Sequence, residues 1–177
     1  SAASDVYKRQ LFIFLTACED YLDVNKNVDA PDYVEGYLYL AGIQQSYFGV
    51  YYEIRGLGPM TQMMGTTTSA YTNFANHYYA QGSDACGEIW RMTYWNQGMN
   101  LENMINQSLA AEEWTLAGIG YAIKAYSWDM LTKEHGELPM KQAFVDGLLS
   151  HDYDYQKDVY KQVREWAYKA IEPCLLY

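Results

Sequence analysis

A chain of 177 residues, half of them hydrophobic, has the length of one domain or part of a larger one and enough apolar material for a packed core. Its 12 Lys and Arg against 22 Asp and Glu give a formal net charge of −10. That balance excludes a nucleic-acid partner, whose phosphates demand basic surface, and argues against docking the domain surface onto anionic lipid. Three Cys do not make a disulfide framework; Cys86, lone on an apolar stretch, reads as a small buried hydrophobe.

At the start of the chain, Lys8 and Arg9 precede the apolar run Leu11 to Leu15, then the small residues Thr16 and Ala17, then Cys18. This order is that of a bacterial lipoprotein signal. The run is too short to cross a bilayer, which needs about 20 apolar residues, but it fits the end of a signal h-region. On this reading residues 1–17 are a signal-peptide remnant and Cys18 is the lipidated first residue of the mature protein. Residues 18–31 then form a flexible tether, rich in the turn formers Asp20, Asp23, Asn25, Asn27 and Asp29. Residues 1–10 resemble translated sequencing-adapter sequence and 173–177 look like a similar non-native tail, so both are set aside from fold reasoning.

A helical domain is expected over 32–172. Asp32 is placed as an N-cap, and Val34, Leu38, Ala41, Gln45 and Phe48 recur at helical steps, predicting a helix from Tyr33 to Val50 with a break near Gly49. A second piece, Tyr51 to Met64, carries Ile54, Leu57, Met60, Met63 and Met64, with Gly56, Gly58 and Pro59 set against its continuity. The next helix runs from about Asp84 to Ala111 with Ile89, Tyr94, Leu101, Ile105 and Leu109 on its apolar side. Another runs from Glu112 to His135, its two acids in the first turn, where the helix dipole favours them. Leu116, Ile119, Ile123, Tyr126 and Met130 lie on one of its faces and Ala117, Tyr121, Ala125 and Trp128 on another, so burial on two sides is expected. Gly136 is placed for a C-terminal cap before Pro139. The last helix runs from Tyr155 to Ile171, with Val159, Val163, Trp166, Ala167 and Ala170 facing inward. No strand pattern competes, so the class is all-α.

Between the second and third segments, Gly65 to Gly82 has no helical period and reads as a long loop, a length that is usually functional or disordered. It gathers Tyr71, Asn73, Phe74, Asn76, His77, Tyr78 and Tyr79. The whole chain is aromatic-rich, with 19 Tyr, 5 Trp and 5 Phe making up 16% of its residues. Rings beside amides suit a carbohydrate, because the ring covers the sugar's C–H face while Asn both donates to and accepts from its hydroxyls. The plainer role for these rings is to cover the helices below.

Catalytic pairs are weak. Glu134 and Glu137 stand at a helix end beside Lys133 and His135, which reads as an ordinary solvated terminus. Asp152 and Asp154 flank a Tyr near a helix start, where capping explains them. His77, His135 and His151 show no metal-ligand spacing, and no hydrolase, phosphate-loop or dinucleotide fingerprint is present. No cofactor is expected.

Trp114-x2-Ala117-Gly118-x2-Tyr121 has the spacing of a tetratricopeptide opening, followed by Met130 and Glu134 where Ala and Phe are usual, and by a long insertion from Glu137 to Tyr153. The order CEDYLDVNKN, YLAGIQQSYFGVYYEIRGLGPMTQMMG, EIWRMTYWNQGMNLENMI, AGIGYAIKAYSWDMLTKEHGELPMKQAF and DVYKQVREWAYKAIE resembles the SusD/RagB-like outer-membrane lipoproteins of Bacteroidetes, from Cys18 to about Glu172. The resemblance implies the N-terminal part of a larger α-helical fold with tetratricopeptide-like repeats. It further implies a non-enzymatic protein lipid-anchored on the cell surface, which captures oligosaccharide and delivers it to a SusC-like TonB-dependent transporter. Peptide is the cargo in some members. A helical-repeat adaptor that binds protein is the alternative.

Overall fold

The computed structural model describes residues 34–65, 77, 79, 82, 87–145 and 147–172. Their helices are α1 (Gly36–Gln45), α2 (Phe48–Met60), α3 (Glu88–Trp90), a π-helical segment (Arg91–Gln97), α4 (Gly98–Ala110), α5 (Trp114–His135) and α6 (Gln156–Ile171). Among the described residues the one departure from helix and loop is an isolated antiparallel bridge between Leu138 and Asp154. The all-α class is therefore as the sequence predicts.

α1, α4, α5 and α6 pack in a row, each against the next. α1 runs antiparallel to α4, with Gly36 beside Ser108 and Ser46 beside Gln97. α4 and α5 form a tight hairpin in which Glu102 meets Lys124. α5 and α6 form another: Gln156 Nε2 donates to the Thr132 carbonyl at 2.7 Å, and the Trp128 and Trp166 rings lie 6.2 Å apart. One buried cluster joins Ile43, Leu101, Met104 and Ile105 between α1 and α4, and a larger one joins Ile89, Met92, Trp128, Leu131, Val159 and Trp166 between the third and sixth helices.

Gly120 explains how closely α4 and α5 approach. A Cβ placed there would lie 2.6 Å from Ile105 Cγ1 and 3.0 Å from the Met104 methyl. Of the tetratricopeptide-like residues, Ala117 and Gly118 are buried in α5 as the spacing predicts, and α6 is delayed by the insertion. Gly136 ends α5 at φ +80°, its N–H donating to the Thr132 carbonyl.

Several details differ from the sequence reading. The first helix breaks at Ser46 and Tyr47, and Gly49 lies inside α2, packed against Glu88 and Met92. α2 continues through Gly56, Gly58 and Pro59, because only the last turn must do without the proline N–H. The stripe Leu38, Ala41, Gln45 and Phe48 faces solvent; Gly36, Ile43 and Ser46 are the buried side of α1. Ile54, Leu57, Met63 and Met64 are likewise exposed.

The helix expected over Asp84–Ala111 is three pieces, with a wide π turn and a break at Gly98, whose φ of +21° is outside the helical region. Asp84, the expected start of this helix, lies outside the described residues, and α3 starts after Gly87. Glu112 and Glu113 precede α5 instead of occupying its first turn, Glu112 adopting φ +59° to turn the chain between α4 and α5. On α5, Ile119 and Tyr126 are exposed while Ala117, Ala125 and Trp128 are buried. Ala167 of α6 faces outward, and Val159 and Trp166 carry its contact.

Candidate functional site

Ser46 and Tyr47 turn the chain between α1 and α2, and a groove of about 600 Å³ opens where this turn faces α3 and α4. Phe48 and Tyr52, one turn apart on α2, supply two largely exposed rings. Gln45, Asn96 and Asn100 supply amides, and Glu88 supplies a carboxylate. Behind them Gln97 Nε2 donates to Ser46 Oγ at 2.9 Å, and Ser46 Oγ donates to the Ile43 carbonyl. This buried relay fixes the turn against the π-helical segment.

α2 is held to α3 from inside the protein. The Glu53 side chain is only 5% exposed and accepts a hydrogen bond from the Glu88 backbone N–H, the first of α3. A carboxylate at a helix start satisfies an orphan donor and meets the positive end of the backbone dipoles. Glu88 in turn pairs with Arg91 at 2.6 Å.

Of the residues expected in the ligand loop, Tyr71, Asn73, Phe74, Asn76 and Tyr78 lie outside the described residues. Of the other two, His77 is half-buried, and its carbonyl accepts a hydrogen bond from Gln62 Nε2 at 3.2 Å at the end of α2. Tyr79 is exposed, with φ +57°. Neither lines the groove. Cys18 and Cys86 also lie outside the described residues.

The structure assigns the weighed carboxylates differently. Asp154 does not cap α6. Its Oδ2 accepts from the backbone N–H groups of Met140 and Lys141 at 3.1 and 2.9 Å, and Oδ1 pairs with Lys141 Nζ at 2.7 Å. Burial resists its ionisation, but the Lys141 ammonium and these N–H donors outweigh that and hold the carboxyl below the usual carboxylate range. Asp152 accepts from Gln142 Nε2, and its own N–H donates to Gln142 Oε1 at 2.9 Å. Both acids clasp the insertion after α5. Glu137 is exposed, whereas Glu134 is largely covered and stands 3.6 Å from His135, so that helix end is not simply solvated.

Sequence reasoning placed the aromatic–amide chemistry in the loop and passed over the groove. A signal was present: Asn96 and Asn100 recur at a step of four, which sets two amides on one side of a helical stretch.

A family profile described as "Starch-binding associating with outer membrane" matches residues 34–172. The chain belongs to the SusD-like family. Comparisons with curated proteins and with solved structures gave no match. The SusD-like match spans every helix described above, so the groove is built wholly from family-matched residues. It assigns the chain to a family of glycan-binding proteins associated with the outer membrane. Among the described residues no helix is long and apolar enough to cross a membrane, and no three His, Cys, Asp or Glu side chains converge as a metal site.

Proposed function

We propose that this protein is a cell-surface, oligosaccharide-binding lipoprotein, anchored through Cys18, that hands its ligand to a SusC-like TonB-dependent transporter. The observation that carries the reading is the SusD-like match over 34–172. The groove supports it: two exposed rings beside three amides is the chemistry a sugar needs. The sequence from Tyr71 to Tyr79 is rich in the same residue types, aromatic rings and amides. On this reading the protein works by binding and release; Asp152 and Asp154, one of the two acid pairs weighed for catalysis, hold the insertion.

Titration of the full chain with neutral and anionic oligosaccharides tests the binding step. Saturable binding that weakens in Tyr52→Ala is expected. Absence of binding to every saccharide, together with tight binding to a peptide or protein, would favour the adaptor reading. The feature that supports that alternative is the apolar surface of α2, where Tyr51, Ile54 and Leu57 are exposed.

A further inference from the structure

A second cleft, of about 500 Å³, opens between α4, α5, α6 and the insertion that follows α5. Its apolar wall is Met99, Phe144 and Trp166. Its polar wall carries the amides of Asn103, Asn106 and Gln162. None of these three amides makes a hydrogen bond to another described residue, so their donors and acceptors are open to whatever fills the cleft. At Met99 and Phe144 the cleft adjoins a shallower hollow of about 430 Å³ that contains Trp95. Trp95 is 79% exposed, so most of its surface stays in solvent. The π-helical segment presents it outward while Met92, Thr93 and Gln97 on the same segment stay buried.

The cleft holds two lysines, and both are engaged. Lys124 Nζ pairs with Glu102 and sits 4.4 Å from the centre of the Trp166 ring. Lys141 Nζ pairs with Asp154. Each cation is neutralised by a carboxylate at contact distance, so no uncompensated positive charge is left to attract a carboxylated or sulfated ligand. The Glu102 carboxylate remains a good acceptor for hydroxyl groups. On α4, Asn103 and Asn106 stand one turn apart, about 4.5 Å at 1.5 Å per residue, and Gln162 adds a third amide from α6.

We propose that this cleft is a second saccharide site, separate from the Phe48–Tyr52 groove, which takes an uncharged oligosaccharide. A sugar face stacks on Trp95 and Phe144 while its hydroxyls bond Asn103, Asn106 and Gln162. The proposal rests on the glycan-binding reading above, and its test separates the two.

The full chain is titrated calorimetrically with neutral probes (malto-, xylo- and manno-oligosaccharides) and with anionic ones (oligogalacturonate and chondroitin sulfate oligosaccharides). Wild type is compared with Trp95→Ala, Asn106→Ala and Tyr52→Ala. Trp95 and Asn106 are both exposed, so their variants keep the wild-type far-ultraviolet spectrum and melting profile. The expected result is binding of a neutral probe, weakened roughly five- to tenfold for each cleft contact removed. Saccharide should also shield tryptophan fluorescence from acrylamide in wild type and less so in Trp95→Ala. Wild-type affinity and stoichiometry in both cleft variants, with loss in Tyr52→Ala, would overturn the cleft and leave the glycan reading standing. Binding of anionic probes alone would overturn the charge argument. No binding of any probe by wild type would overturn both readings.

Discussion

Tyr94 Oη donates a hydrogen bond to the Pro139 carbonyl across 3.2 Å, joining the π-helical segment to the first residues of the insertion. The ring is packed edge-on against Trp128, with centroids 5.2 Å apart, and stands 6.3 Å from Phe144. Burial, with smaller contributions from Tyr153 and Asp154, pushes its hydroxyl well above the ordinary tyrosine range. The donor therefore persists through neutral and mildly alkaline solution. Its folded-state value is raised, so this contribution to stability is complete below the unfolded value of about 10 and is lost as pH rises beyond it.

Tyr94→Phe keeps the ring and removes only the donor. We expect a loss of about 1 kcal/mol, since the Pro139 carbonyl then depends on water. For a chain of this size that lowers Tm by roughly 2–4 °C. The local effect should be larger than the global one: hydrogen exchange should quicken over residues 138–145. An unchanged exchange pattern there would show that the other clasps suffice to hold the insertion.

Those clasps centre on Asp154, the residue the bridge pairs with Leu138, with N–H to carbonyl distances of 3.2 and 2.7 Å. Asp154→Asn keeps the shape but loses the charge that Lys141 and two backbone donors meet. The folded-state pKa of Asp154 is depressed, so its contribution is complete above the unfolded value of about 4 and is lost as pH falls through the lower folded value. Wild type should therefore be more stable than the variant at pH 7, with the difference closing in strong acid. Urea unfolding at a series of pH values measures it; a difference constant with pH would mean the charge is immaterial.

Gly120→Ala tests the α4–α5 contact. The added methyl would collide with Ile105 Cγ1, which is held within the buried cluster and cannot swing aside as a chain end could. Overpacking of this kind costs about 1–3 kcal/mol, against which the helix propensity gained from alanine is about 1 kcal/mol or less. A net loss of stability is expected, and a gain would show that the two helices separate at little cost. Gly98→Ala should also be harmful, because its φ of +21° disfavours any side chain and Phe144 lies 3.3 Å from where Cβ would stand.

Helical periodicity sufficed to find α5 and α6 because their spacing is regular and their ends carry ordinary signals, such as Gly136 and the proline beyond it. It misjudged α1 and α2 because both sides of these helices are apolar. Leu38 and Phe48 repeat as regularly as Gly36, Ile43 and Ser46, and only tertiary packing chose between them. No periodicity distinguishes a π turn from an α turn, so the outward Trp95 was not foreseen. Asp154 looked like a cap since its role depends on Met140 and Lys141, 14 and 13 residues away. The groove was missed for a similar reason: Phe48 and Tyr52 come to line one groove with Asn96 and Asn100, about 50 residues on, only in the folded chain.

Cys18 lies outside the described residues, so its proposed lipidation rests on the sequence around it, and a direct substitution tests it. The full chain carries a formal net charge of −10, and anionic headgroups would repel so acidic a protein. With no membrane-crossing helix among the described residues, the acyl chains would supply the attachment. More than one chain is needed for stable anchoring, because a single one binds only reversibly. Wild type should then stay with the membrane fraction through a high-salt wash and leave it in detergent. Cys18→Ala should be recovered as soluble protein without detergent, or retained as an unprocessed precursor that fails to incorporate labelled fatty acid. A Cys18→Ala protein that still takes up the label and resists the salt wash would remove Cys18 as the anchor.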